Sequence, residues 1–193
     1  MGKVVVSDNV SLDGVIQDPA GDEGFRVGGW VGRIADRVEL NKLALDEALA
    51  AEALLLGRRS YDWFAARWPS RSGALADRLN SLPKYVVSST LEDPSWNNTT
   101  VLKGDVVAEV SKLKQELNGE IVLAASFQLL HTLMEHDLVD ELRLMIYPVV
   151  LGAGERLFGE TSERRPMRLL ATRIVARDLA YLTYQMVRDA ESN

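Results

Sequence analysis

The segment Leu54-Leu55-Leu56-Gly57-Arg58-Arg59-Ser60-Tyr61-Asp62 limits the possible folds more than any other part of the chain. A short apolar run stops at a glycine, two arginines and a hydroxyl follow, and a helical pattern then begins. Short continuous apolar runs fit buried strands. A strand that ends in glycine and turns into a helix gathers backbone N–H groups at one point. The positive end of the helix dipole adds to them, so the spot suits a phosphate. Arg58 and Arg59 would supply charge-assisted hydrogen bonds to it. The same residues also read as a plain turn carrying solvated arginines, and the junction alone leaves both readings open.

Strand-like and helical patterns alternate along the rest of the chain. Residues 3–9 read as a strand, and 11–30 as a long loop broken by Gly14, Pro19, Gly21, Gly24, Gly28 and Gly29. Residues 33–52 read as a helix with Ile34, Val38, Leu43, Leu45 and Leu49 among its apolar positions. A buried strand at 53–57, a short helix at 59–66 and a helical turn or two at 74–81 follow. Strands are expected at 84–89 and 99–103. Asp105 can cap a helix that runs to about Leu117 and stops at Asn118-Gly119. Residues 120–124 read as a buried strand, and Ser126 can cap a helix from Phe127 to about Glu135. A strand at 140–150 and a hairpin of two long strands, 167–176 and 180–188, complete the pattern. Helices between buried strands imply an α/β sheet that is largely parallel, with the hairpin as an antiparallel edge. A loop of about twenty residues inside a compact domain is often functional, and this one follows the first strand, where open α/β sheets place ligands.

Composition narrows the classes. With 193 residues, 47% of them hydrophobic, the chain can form one well-packed domain over residues 1–193. A net charge of -6 makes nucleic acid a poor partner, since such binding rests on neutralising phosphates. The absence of cysteine excludes disulfides, thiolate metal sites and cysteine nucleophiles. No apolar run reaches the length of a membrane span, and the chain enters a β pattern at Lys3 with no signal-peptide core. The expectation is a soluble, cytoplasmic protein.

Further constellations each carry two readings. Asp13 in Ser11-Leu12-Asp13-Gly14-Val15-Ile16 sits at the mouth of the long loop, as a ligand contact or as a turn residue bonding local backbone. Gly28-Gly29-Trp30 offers backbone freedom beside a flat stacking face, or a loop pinned by a buried Trp. Ser88-Ser89-Thr90 ends a strand with three hydroxyls that suit either a phosphate or a hydroxyl-bonded turn. Ala124-Ala125-Ser126 puts small residues between strand and helix, where a ligand could approach the backbone, or forms an ordinary β–α junction. Tyr147-Pro148 to Gly159, with Arg156, reads as a structural turn. His131 and His136 lie five apart and do not share a helical face, which argues against a metal pair. Asp36, Glu39, Asp46 and Glu47 read as a solvated helix face, or as a set from which one acid faces the cleft as a proton donor.

Taken in order, these motifs resemble the dihydrofolate reductase-like family that includes the C-terminal reductase domain of riboflavin biosynthesis. The likeness runs from Val4 to about Val187. It rests on Ser-Leu-Asp-Gly at 11–14, Leu-Gly-Arg-Arg-Ser-Tyr at 56–61, and Leu138-Val139-Asp140-Glu141-Leu142 followed by Pro148-Val149-Val150-Leu151-Gly152. The resemblance implies a three-layer α/β/α fold with a mostly parallel mixed sheet, binding NADPH across the C-terminal ends of its strands. By that analogy Gly57, Arg58, Arg59 and Ser60 sit at the dinucleotide phosphates. Ser88 and Ser89 lie near the adenosine 2′-phosphate, with Lys103 a candidate for the same group. Ala125, Ser126, Phe127 and Gln128 occupy the family's glycine-rich pyrophosphate turn, and Asp13, Ile16 and Trp30 border the nicotinamide and substrate. The chain departs from the pattern at Ala125, where the family has glycine, and at Phe127, where it has a small or polar residue. A homodimer is also implied.

Two functions follow from these residues. One is an NADPH-dependent reductase that transfers hydride to a small heterocycle, pterin- or pyrimidine-like; the cofactor carries the chemistry, so no nucleophile or metal is needed. The other is a non-catalytic protein that binds a nucleotide or small ligand in a degenerate cofactor site. Arg58-Arg59 and Ser88-Ser89 favour the first, and Ala125 and Phe127 the second.

Overall fold

A computed structural model describes residues 1–33, 37–160 and 163–188. Its strands are β1 (Lys3–Ser11), β2 (Ala51–Gly57), β3 (Lys84–Val87), β4 (Thr99–Leu102), β5 (Glu120–Ala124), β6 (Glu141–Tyr147), β7 (Met167–Val175) and β8 (Leu179–Met186). Its α-helices are α1 (Arg37–Ala50), α2 (Arg58–Ala65), α3 (Ala74–Ser81), α4 (Val106–Glu116) and α5 (Phe127–Glu135). The eight strands are mixed in direction. β2 pairs in parallel with β3 and β5, and β3 with β4. β8 pairs antiparallel with β6 and β7. No helix among the described residues is long and apolar enough to cross a membrane.

The chain forms two compact units, Met1–Val5 with Asn41–Asp140, and Val6–Leu40 with Glu141–Asn193. In the first, β4, β3, β2, β5 and the start of β1 lie side by side in that order. β2 is buried on both faces, as its apolar run requires. Leu54 and Leu56 join a core with Tyr61, Leu79, Leu82, Val86, Leu91, Trp96 and Val122. Two of its aromatic side chains are tied by hydrogen bonds inside the unit, whereas the indole nitrogen of Trp68, packed against the same core, is buried without a partner among the described residues. Tyr61 Oη accepts from the Trp96 backbone N at 3.0 Å, and Trp96 Nε1 donates to Asn80 Oδ1 at 2.7 Å. Lys84 is fully buried. Its Nζ donates to the carbonyls of Asn80 (3.0 Å), Leu82 (2.7 Å) and Asn97 (3.1 Å) and lies 4.4 Å from the Trp96 ring centre. Burial pulls this ammonium down to about 8. Buried Lys114 pairs with Asp140, whose carboxylate also accepts from the Val4 N at 2.8 Å.

In the second unit the rest of β1 is followed by β6, β8 and β7. The loop after β1 is compactly folded around Asp18, which is buried and has a positive φ of 47°. The Asp18 carboxylate accepts from Glu23 N (3.1 Å) and Phe25 N (3.0 Å), and its carbonyl accepts from Gly21 N (3.2 Å) and Gly29 N (2.9 Å). A Cβ on Gly28 would overlap the Asp18 carboxylate. Trp30 closes the loop: it is buried, donates Nε1 to the Gln17 carbonyl at 3.0 Å, and meets Tyr147 edge to face at 5.2 Å.

Several boundaries differ from the sequence reading. The helix expected over 33–52 is described from Arg37 and ends at Ala50, and Ala51 and Glu52 open β2 instead. Ile34 and Asp36 lie outside the described residues. Leu43 is buried as expected, but Val38 is 79% exposed and Leu49 60% exposed. They sit eleven residues apart, about three helical turns, and so share one solvent-facing side. The strands expected at 84–89 and 140–150 are shorter: the chain turns after Ser88, whose hydroxyl accepts from Thr90 N and Leu91 N, and Pro148 has no N–H to give a ladder.

Candidate functional site

The two β–α junctions that the sequence singled out lie together in the first unit. Gly57 ends β2 and Arg58 opens α2; Ala124 ends β5 and Phe127 opens α5. Between them is a cleft of about 590 Å³, lined among others by Gly57, Arg58, Arg59, Ser60, Ala125, Ser126, Phe127 and Gln128. All eight residues assigned to the dinucleotide phosphates and pyrophosphate turn therefore meet at one place.

A serine pair holds the junctions together. Ser126 Oγ accepts from the Gly57 N at 2.9 Å and donates to Ser60 Oγ at 2.9 Å, with the Ala124 carbonyl a further acceptor within reach at 3.0 Å. Ser60 Oγ donates to the Ala125 carbonyl at 2.7 Å. Ser126 does not cap α5 with its side chain, contrary to the sequence expectation, because its hydroxyl is engaged with Gly57 and Ser60. Gly57 has no side chain to cap α2. By contrast α4 is capped by Asp105, whose carboxylate accepts from Ala108 N at 2.9 Å. Two helices thus bring N-termini without side-chain caps to one cleft, which favours an anion there.

Ala125 adopts a left-handed φ of 51°, the conformation for which glycine is suited. Its Cβ is accommodated and the cleft stays open. Phe127 leans its ring against His131, one turn along α5, at 6.0 Å between centroids.

Arg58 is fixed along α2. Its Nε donates to both carboxylate oxygens of Asp62, at 3.0 and 2.8 Å. Its Nη1 lies 3.4 Å from Thr90 Oγ1. The Ser88–Thr90 segment is a hydroxyl-bonded turn in which Ser88 Oγ accepts from Thr90 N (3.2 Å) and Leu91 N (3.1 Å). Ser88 is buried by this bonding, whereas Ser89 and Thr90 are exposed. Ser88, Ser89 and Lys103 are not among the residues lining the cleft, and Lys103 is exposed after β4. Asp62 and Thr90 carry the Arg58 geometry; the sequence offered Thr90 as one of three hydroxyls for a phosphate or a turn, and gave Asp62 no role. The opposite charges at i and i+4 were the available signal for Asp62.

Asp13, Ile16 and Trp30 belong to the second unit. Asp13 accepts from Ser11 Oγ (2.7 Å), Leu151 N (3.1 Å) and Gly152 N (2.8 Å). These bonds, the serine hydroxyl first, hold its carboxyl down at about 2. Arg156 donates to the Asp13 carbonyl, and Ile16 N to the Glu155 carbonyl at 2.9 Å. Two sequence motifs nearly 140 residues apart, Ser-Leu-Asp-Gly and Leu-Gly-Ala-Gly-Glu-Arg, are thus one hydrogen-bonded structure. Ile16 and Trp30 are both buried.

The profile of the RibD C-terminal domain matches residues 2–181. The chain belongs to that family. It is 30% identical over 138 residues to the uncharacterized protein YyaP of Bacillus subtilis (strain 168), covering 69% of this chain and 73% of YyaP. Among solved structures, a Shewanella sp. PV-4 protein assigned provisionally to riboflavin biosynthesis superposes with a TM-score of 0.76 at 22% identity, over 96% of this chain and 99% of that one. Dihydrofolate reductase from Enterococcus faecalis, solved in complex with NADP(H), gives a TM-score of 0.62 at 14% identity, over 96% and 97% of the two chains. The fold is therefore of the dihydrofolate reductase type, a mixed α/β sheet with an antiparallel C-terminal hairpin.

Proposed function

We propose that this protein is an NADPH-dependent reductase acting on a small heterocycle of the pterin or pyrimidine type. The observation that carries the proposal is the meeting of α2 and α5, without side-chain caps, at a cleft whose wall bears Arg58. The cleft volume of about 590 Å³ falls within the range of small-molecule sites. Membership of the RibD C-terminal domain family and the NADP(H) complex of the Enterococcus neighbour support the same cofactor.

In this reading the first-turn N–H groups of both helices hold the pyrophosphate. The Gly57 N–H is spent on Ser126, so Ser60 and Ser126 act by fixing the two helix starts rather than by binding. Arg58, directed at the Ser88–Thr90 turn, takes the 2′-phosphate instead of the pyrophosphate. A nicotinamide bound there would supply the hydride. Asp13, held at about 2, is a carboxylate at neutral pH and does not serve as a proton donor. It orders the loop that carries Ile16, and the proton reaches the substrate through water. A small-molecule substrate and a second copy of the chain are the partners we propose.

The test is a screen of oxidised pterins, pyrimidines and related heterocycles for consumption of NADPH by the purified protein. Turnover that requires both heterocycle and protein supports the proposal. NADPH binding without turnover across the screen would favour the second reading, a non-catalytic nucleotide-binding protein, to which Ala125 in the left-handed region points.

A further inference from the structure

We propose that Asp62 is a positioning residue: it holds the Arg58 guanidinium by its Nε edge so that the Nη edge meets a phosphate monoester, and through Arg58 it sets the preference for a 2′-phosphorylated dinucleotide. This rests on the cofactor reading above. Asp62 itself contacts no phosphate.

A guanidinium has five N–H donors in a planar fork. An arginine at the first position of a helix has many rotamers, and fixing one costs free energy on binding. Here both oxygens of Asp62, one turn along α2, engage the single Nε donor at 3.0 and 2.8 Å. That leaves the two terminal nitrogens pointing onward, and Nη1 lies 3.4 Å from the exposed Thr90 hydroxyl. Arg58 and Asp62 both line the cleft, and both are about half exposed. The outer edge of Arg58 is therefore presented together with the exposed Thr90 hydroxyl, which lies beyond the residues that line the cleft. A monoester there could take two N–H donors and a hydroxyl without Arg58 having to search for its rotamer.

The carboxylate charge acts in the opposite sense. A negative charge near a bound dianion repels it. The two effects predict opposite outcomes for Asp62→Ala. If Asp62 orients Arg58, its removal weakens the phosphorylated ligand. If it only repels, its removal strengthens that ligand.

The experiment is calorimetric titration of NADPH and NADH into wild type, Asp62→Ala, Asp62→Asn, Arg58→Ala and the Asp62→Ala/Arg58→Ala pair, each checked for folding by circular dichroism. Asp62→Ala should weaken NADPH about three- to tenfold, the cost of immobilising one long side chain, and change NADH less than about twofold. Asp62→Asn, which keeps an acceptor for Nε, should fall between wild type and Asp62→Ala. Added to Arg58→Ala, the Asp62 substitution should cost nothing more, because it acts through that arginine. NADPH bound equally or more tightly by Asp62→Ala would overturn the positioning role, as would equal losses for the two dinucleotides. Wild type that prefers NADPH while Asp62→Ala prefers it just as much removes this inference and leaves the cofactor reading intact. Wild type that binds neither dinucleotide overturns both.

Discussion

Ala125 bears the local backbone cost of the cleft. A left-handed φ of 51° on a residue with a Cβ costs about 1–2 kcal/mol relative to glycine's freedom there. Ala125→Gly should therefore stabilise the protein by about 1 kcal/mol, after the added entropy of glycine in the unfolded chain, and should tighten NADPH by removing a Cβ from the phosphate turn. A lower melting temperature would contradict this account. A second residue sets a pH dependence. Asp8, half-buried on β1, is pushed up to about 7 by burial, against a smaller downward pull from the Asn9 N–H at 2.9 Å. The folded protein then holds this proton more tightly than the unfolded chain, whose carboxyl titrates near 3.8. Its contribution is fully present below that value and is lost as pH rises towards 7. Asp13 works in the opposite direction: held at about 2, it contributes above pH 4 and loses that contribution as pH falls through 2. Asp8→Asn should flatten the decline in melting temperature between about pH 4 and 7 and raise it at pH 8; an unchanged slope in thermal melts across that range would contradict the assignment. At this scale the sequence made Arg58 a candidate, because charge beside a strand–glycine–helix junction suits a phosphate, while a plain turn with solvated arginines fits the same residues. It did not reveal that Arg58 turns to Asp62 and Thr90, since a rotamer is decided by neighbours that only folding assembles.

Among the elements, β2, β5, α2 and α5 were readable because apolar runs end at glycine or small residues. The end of α1 was not. No glycine separates helix from strand at Ala50-Ala51-Glu52, and the helix is stopped from elsewhere. Arg78, on α3, donates Nε to the Ala48 carbonyl at 3.0 Å and Nη2 to the Ala51 carbonyl at 2.6 Å. A cap supplied some thirty residues away leaves no local signal. Ser126 misled for a related reason: a hydroxyl before a helix usually caps it, and here a second junction competes for it. The loop after β1 was legible as a loop through its glycines, but not as a structure organised by Asp18. Gly28→Ala should push the Asp18 carboxylate off Glu23 N and Phe25 N and raise amide exchange over residues 18–29. Unchanged protection there would show that the Asp18 contacts do not order the loop.

For the whole molecule, β7 ends the strand order and exposes Leu169, Leu170 and Ile174, the last at 75%. A long apolar edge is a liability unless something covers it, and we propose that a second copy does. Sedimentation should give about twice the 21.4 kDa chain mass, and a Leu170→Lys/Ile174→Lys variant should sediment as a monomer; a wild-type monomer at micromolar concentration would contradict the dimer. The central claim concerns the cleft between α2 and α5, and titration of the wild-type protein with NADPH and, separately, NADH tests it most directly. The account predicts saturable binding of NADPH with a clear preference over NADH, because Arg58 and Thr90 present donors for a 2′-phosphate. Binding of neither dinucleotide would contradict it and would mean that Ala125 and Phe127 have closed the turn to a pyrophosphate.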